Sequence, residues 1–226
     1  MSEAGSGGAA PESRILRTLI VRHGETRWNL EGRRQGSSDI PLSDTGLAQA
    51  RAVAARLRSE PVAAIYASDL TRARETAEII AAHHAVPIEV SPALREAGLG
   101  EWEGMTDAEV AGLYGAEALA AYRDDPTGFR PPGSEPLADV ALRIQSEMNK
   151  IAGRWSGSTV VVVGHGGSLR ALFCQALGAP PECMVGFRLD NGSVSLIERR
   201  GRRAWICYSN DTSHLTCAAC AKASGR

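Results

Sequence analysis

The chain has 226 residues, 43% of them apolar and 23% charged, with a formal net charge of −1. That length suits one sizeable domain, since cores stop growing at about 250–300 residues, and the charge balance excludes a general attraction to nucleic acid or anionic membranes. No apolar stretch approaches the roughly 18 residues of a membrane helix, and five cysteines, an odd number, give no disulfide framework and point to the cytoplasm.

Residues 1–13 are rich in Gly, Ala and Ser and have no apolar core, so they read as a disordered leader rather than a signal peptide. Residues 14–21 read as the first strand, in which Leu19, Ile20 and Val21 run into Arg22-His23-Gly24. The glycine permits a turn or a close approach. The strand thus delivers an arginine and a histidine to its C-terminal end, where open α/β sheets bind ligands. After a polar loop, residues 41–46 look like a helix start, and Leu47, Ala50, Val53, Ala54 and Leu57 fall on one helical face. Residues 62–67 form a short strand ending at Ser68-Asp69, which suits the N-cap of the next helix. That helix runs to about His84, and residues 86–90 form a third strand.

Between residues 92 and 136 the periodicity weakens into two short helices and loops, a small helical lid. Leu137, Val140, Ile144, Met148, Ile151 and Trp155 then space by threes and fours, predicting the longest helix. Residues 159–163 repeat the opening plan as an apolar strand before Gly164-His165-Gly166-Gly167-Ser168-Leu169-Arg170, with a helix over about 168–177. Residues 185–189, 193–198 and 204–208 read as late strands. The alternation predicts a three-layer α/β/α fold, its sheet mostly parallel with an antiparallel edge. Residues 14–215 read as a single domain and 216–226 as a flexible tail, and the edge strands permit a monomer or a homodimer.

If the two strand–histidine–glycine units are parallel neighbours, His23 and His165 converge on one pocket. Arg72 sits in the first turn of its helix, where the backbone end is already positive, so a cation there calls for an anion beside it. Arg22 follows a buried strand, where an unpaired charge is costly. Two guanidinium forks suit a phosphoryl group. A neutral histidine is a competent nucleophile near neutral pH, and a carboxylic acid can protonate a departing alkoxide and then activate water. Two histidines and a glutamate could bind zinc, but flanking arginines oppose a cation. His214, Cys217 and Cys220 have ligand-like spacing without a fourth ligand.

The run LIVRHGETRWNLEGRRQG, the segment SDLTRARETA, the segment LREAGLGEWEG around Glu96 and the run VVVGHGGSLRALF closely resemble the histidine phosphatase superfamily, also called phosphoglycerate-mutase-like. The resemblance extends over residues 16–215. It implies that fold, with His23 as the nucleophile that becomes phosphohistidine, Glu96 as proton donor and later base, and His165 as the stabiliser of the transferring phosphoryl group. It further implies Arg22 and Arg72 as a phosphate clamp, Asn29, Gln35 and the Gly166 backbone N–H as additional phosphate contacts, and no metal or other cofactor. The segment 97–106 resembles the phosphatase branch, including alpha-ribazole phosphatase and broad-specificity phosphatases. Mutases carry Arg-His-Tyr-Gly there and a longer basic insert. Gly133-Ser134-Glu135-Pro136 stands where many phosphatases read Gly-Gly-Glu-Ser. Trp28, Arg33, Arg34, Trp102, Tyr122 and Arg130 are candidates for gripping the substrate beyond its phosphate. The expectation is a metal-independent phosphomonoesterase whose partner is a small-molecule phosphate ester, such as a sugar, cyclitol or nucleoside-like phosphate. A phosphoglycerate-type mutase and a non-catalytic phospholigand-binding protein are the rival readings.

Overall fold

A computed structural model describes residues 14–216. Within it β1 (Leu16–Arg22), β2 (Val62–Ala67), β3 (Ile88–Val90) and β4 (Thr159–Gly164) run parallel, while β5 (Val194–Arg200) and β6 (Arg203–Asp211) turn back antiparallel at one edge. The order across the sheet is β3-β2-β4-β1-β5-β6. The two central strands are β4 and β1, whose near-continuous apolar runs are what burial on both faces demands. Their register sets Val21 beside Val163 and Arg22 beside Gly164.

Side chains alternate across this sheet. Leu19, Val21, Val161 and Val163 face one core layer, shared with α2 (Asp44–Leu57) and α3 (Thr71–Ala81), α1 (Arg27–Leu30) being a single turn in the loop after β1. Ile20, Val160 and Val162 face the other layer. There α6 (Leu137–Arg154) supplies Val140, Ile144 and Ile151, and α7 (Gly166–Leu177) supplies Leu169, Leu172 and Phe173. The predicted three-layer α/β/α arrangement holds. The segment between residues 92 and 136 contains α4 (Asp107–Tyr114) and α5 (Ala116–Asp124) around the buried Trp102, whose ring meets those of Tyr114, Tyr122 and Phe129 at 5.9, 5.3 and 5.7 Å. Among the described residues no helix is long and apolar enough to cross a membrane.

Three local expectations are corrected. Residues 185–189 are not a strand: a 3₁₀ turn over Pro181–Gly186 follows Pro180, and the Leu189 carbonyl accepts from Arg22 Nη1 at 2.6 Å rather than from a neighbouring strand. α3 begins after Leu70 without a side-chain cap, because Asp69 is paired with Arg95. Its Thr71 N–H instead donates to Asp39 of a distant loop at 2.7 Å, one way to satisfy an orphan donor. α7 begins at Gly166, two residues early, which turns the amides of Gly166, Gly167 and Ser168 into a helix N-terminus beside the ends of β1 and β4. The expected leader, the tail beyond 216, Cys217 and Cys220 lie outside the described residues.

Candidate active site

β1 and β4 end side by side and each hands over a histidine. The rings of His23 and His165 lie 5.1 Å apart between centroids, inclined at 58°, and both are buried. That separation is close to the spacing of about 4.8 Å between neighbouring strands. His23 Nδ1 lies 2.7 Å from the Gly24 carbonyl oxygen, which can only accept. Nδ1 therefore carries the hydrogen and Nε2 keeps its lone pair. His165 is set the opposite way, since Arg72 Nε donates to its Nδ1 at 3.1 Å. Its hydrogen is on Nε2, which has no protein partner. Burial holds both rings well below the ordinary histidine pKa, and the positive charges of Arg72 and Arg22 push the same way. At neutral pH both are uncharged.

Arg72 is wholly buried and also donates to the carbonyls of Ser38 at 2.7 Å and Gly36 at 2.9 Å. Burial lowers its pKa to about 10, which leaves it cationic at neutral pH. Arg22 is likewise lowered by burial, with the charge of Glu96 pulling back, and its Nε is buried without a partner. Unmet buried donors cost free energy unless a ligand meets them.

Glu96 lies against the first turn of α7. Its Oε1 accepts from the N–H groups of Ala97 and Ser168, both at 2.9 Å, and its Oε2 from that of Gly167 at 2.8 Å. Orphan amides at a helix start attract an anion. A Cβ at position 167 would fall 2.5 Å from Oε1, so only glycine leaves room for this carboxylate. The loop bearing Glu96 is held by Arg143 of α6, which uses all five guanidinium hydrogens. Nη1 reaches the carbonyls of Ala93 and Arg95 at 2.8 and 2.7 Å, and Nη2 that of Glu96 at 3.2 Å, while Nε and Nη2 bind Glu135 at 2.8 and 2.9 Å. Sequence reasoning singled out neither Arg143 nor this role of Glu135.

A cavity of about 290 Å³ is bounded by Arg22, His23, Arg72, Glu96 and Gly166 and extends to Asn29 and Gln35. His165 does not line it and meets it through Arg72 and His23. A larger cavity of about 500 Å³, between α6, α7 and the β5–β6 edge, has neither a histidine nor a carboxylate in its wall. Asn29 Oδ1 accepts from the Thr26 N–H and hydroxyl, both at 3.1 Å, and from the Asn191 amide at 3.2 Å, which leaves its Nδ2 for a ligand. Gln35 Oε1 is buried without a partner.

The six residues expected to grip the rest of the substrate divide. Tyr122, Arg33 and Arg34 line the cavity. Arg33 is held by Glu31, Glu109 and the Gly104 carbonyl at 3.1, 2.8 and 2.6 Å. Arg34 is paired with Asp107 at 2.7 Å and lies over the rings of Trp102 and Tyr122. Trp102 is the centre of the small core under α4 and α5, Trp28 lies against Gly104, and Arg130 is exposed; all three stand outside the wall. Sequence reasoning also passed over Arg170, which lines the cavity one helical turn after Gly166. Among the described residues no three His, Cys, Asp or Glu side chains gather into a metal-binding group. His214 Nε2 pairs instead with the Gly192 carbonyl at 2.9 Å.

The sequence profile of the Histidine phosphatase superfamily (branch 1) matches residues 18–212. Over 210 residues the chain is 38% identical to the metal-independent phosphoserine phosphatase of Arabidopsis thaliana, covering 91% of this chain and 85% of that one. Over 169 residues it is also 38% identical to the 2,3-bisphosphoglycerate-dependent phosphoglycerate mutase 2 of Gloeobacter violaceus, covering 73% and 77% of the two chains. The solved structure of the alpha-ribazole phosphatase from Shigella flexneri matches with a TM-score of 0.77 at 27% identity, over 86% of this chain and 96% of that one. With its two facing histidines and these relatives, the chain belongs to the histidine phosphatase superfamily, and its reaction class is the hydrolysis of phosphoric monoesters.

Proposed function

We propose that the chain hydrolyses a small phosphate monoester without a metal, through a phosphohistidine on His23. The observation that carries this reading is the opposed state of the two rings: His23 offers a lone pair on Nε2, and His165 offers an unmet Nε2–H. The substrate phosphate sits against Arg22, Arg72, Asn29 Nδ2, the Gln35 amide and the Gly166 N–H. His23 Nε2 attacks phosphorus in line, the ester P–O bond breaks, and the departing alkoxide takes a proton from the acid form of Glu96. His165 and the arginines stabilise charge on the equatorial oxygens. Glu96, now a carboxylate, takes a proton from a water that attacks phosphorus. The P–N bond breaks, and neutral His23 and inorganic phosphate are released.

Residues 14–215 act in this reading as a single catalytic domain, with 92–136 as its lid. The unpaired Cys174, Cys183 and Cys207 favour the cytoplasm. The mutase among the relatives keeps a second reading open, in which the phosphoryl group returns to the substrate. The test is turnover of p-nitrophenyl phosphate with EDTA present, together with acid-free quenching of radiolabelled substrate. Full activity in EDTA and an acid-labile phosphoenzyme lost in His23→Ala are expected. Metal-dependent activity, label retained in His23→Ala, or phosphoglycerate isomerisation faster than phosphate release would each overturn the reading.

A further inference from the structure

We propose that the cavity of about 500 Å³ between α6, α7 and the β5–β6 edge is a second ligand site, which takes an apolar carboxylic acid. It shares no lining residue with the catalytic pocket. Its volume falls within the range of about 300–1,000 Å³ for small-molecule sites.

The floor is apolar with one exception. Leu16 of β1, Ile197 of β5 and Leu172 of α7 are buried side chains that line it, and Met148 of α6 closes it from above. Between Leu16 and Ile20 stands Thr18, which the alternation of β1 turns toward the same layer. Thr18 is only 2% exposed and lines the cavity, yet among the described residues its hydroxyl makes no hydrogen bond. A buried hydroxyl in that state costs free energy unless a ligand meets it.

The rim carries positive charge and no acid. Arg199 donates from Nη1 to Asn149 Oδ1 and from Nε to the Gly201 carbonyl, both at 3.0 Å, which leaves Nη2 for a ligand. Arg202 lines the same wall from the β5–β6 turn. An adjoining hollow of about 340 Å³ shares Leu16, Asn149 and Arg199 and adds Arg14. Neither wall contains an Asp or Glu, and among the described residues none of these three arginines has an ion pair. Arg17, on the opposite side of β1, is by contrast paired with both Glu60 and Glu198. Unanswered cations above an apolar floor complement a ligand with an anionic head and an apolar body, and the planar guanidinium fork matches a carboxylate. Arg199 stands opposite Leu16, and Ile197 opposite Thr18. Head and floor are therefore two residues apart, about 7 Å along the strands, which suits an acid of medium chain length.

Octanoate, octylammonium and acetate separate the head from the body. Octanoate is expected to bind once per chain, read by titration calorimetry and by shifts of the Met148, Leu172 and Ile197 methyl resonances, undiminished in saturating inorganic phosphate. Octylammonium and acetate should bind about 10-fold more weakly or less, and Arg199→Gln combined with Arg202→Gln should cost octanoate a similar factor. Equal binding of octanoate and octylammonium overturns the proposal, as does no binding of octanoate, and neither result needs a variant to fold. Displacement by inorganic phosphate overturns it by assigning octanoate to the catalytic arginines. Methyl shifts that appear only once residues 1–13 are deleted overturn it by assigning the cavity to the chain's own N-terminal segment.

Discussion

Arg72 Nε donates to His165 Nδ1 at 3.1 Å, and that bond alone decides which nitrogen of His165 carries hydrogen. An arginine has no acceptor, so the imidazole facing it must accept. The Gly24 carbonyl does the reverse to His23. Two chemically identical side chains, packed ring against ring, are thereby given opposite tasks by their second contacts.

Arg72→Lys keeps the charge and loses the fork. The single ammonium cannot hold His165 Nδ1 and the carbonyls of Gly36 and Ser38 in the same geometry. We expect kcat to fall by about 10²–10³-fold, the scale of losing one preorganised donor at a charged transition state. Nitrogen NMR of His165 should show a mixed tautomer. An unchanged kcat with an unchanged His165 spectrum contradicts this account.

Acid should destabilise the fold earlier than carboxylates alone would. His23 and His165 have folded pKa values well below the ordinary 6.5, mainly through burial. The unfolded chain therefore binds protons below about pH 6.5 that the folded chain refuses. Stability is complete above that pH and falls below it, by up to about 2.7 kcal/mol per pH unit for two such groups. Urea midpoints at pH 7.5 and 5.5 measure the effect, and identical midpoints would refute it.

Gly167→Ala puts a methyl group where Glu96 Oε1 now lies, at 2.5 Å. Alanine suits a helix better than glycine, so the fold should hold while the carboxylate moves. A displacement of this size costs on the order of 10²-fold in rate. The loss should appear in kcat, with phosphoenzyme forming and decaying slowly in rapid-quench traces. A variant as fast as the wild type would show that Glu96 works from another position.

Trp102→Ala removes the centre of the lid core. Deleting a buried tryptophan costs about 3–5 kcal/mol. Because Trp102 stands outside the cavity wall, the damage should be mechanical: Arg34 and Tyr122 lose their support, KM rises, and lid amides exchange faster with solvent. Amide exchange confined to the sheet instead of residues 92–136 would exclude this role.

The pairing of His23 with His165 was legible because two apolar strands each end in a histidine–glycine step, and parallel neighbours bring such ends together. Arg143 and Glu135 were not, since the five hydrogens of Arg143 go to three carbonyls and one carboxylate in segments of irregular backbone, which leaves no periodic trace. Trp102 stands among the substrate-contact candidates because an aromatic residue in an aperiodic loop looks the same whether it faces a ligand or packs a miniature core, and the structure places it in the core. Residues 185–189 are apolar like a strand, but Pro180 and Pro181 turn the chain, and Arg22 takes the Leu189 carbonyl that a neighbour would need. Arg170 hid in a helix whose other side chains simply pack.

The side-by-side placement of β1 and β4 also sets when, during folding, this chain becomes chemically competent. Residues 17–22 cannot meet residues 159–164 until the intervening polypeptide has looped back, and closures over such distances are slow in proportion to the entropy they consume. Helices and the β2–β3 pair can form earlier, yet a chain holding only these has no assembled centre. The first turnover after dilution from denaturant is thus a clock for the meeting of these two distant strands.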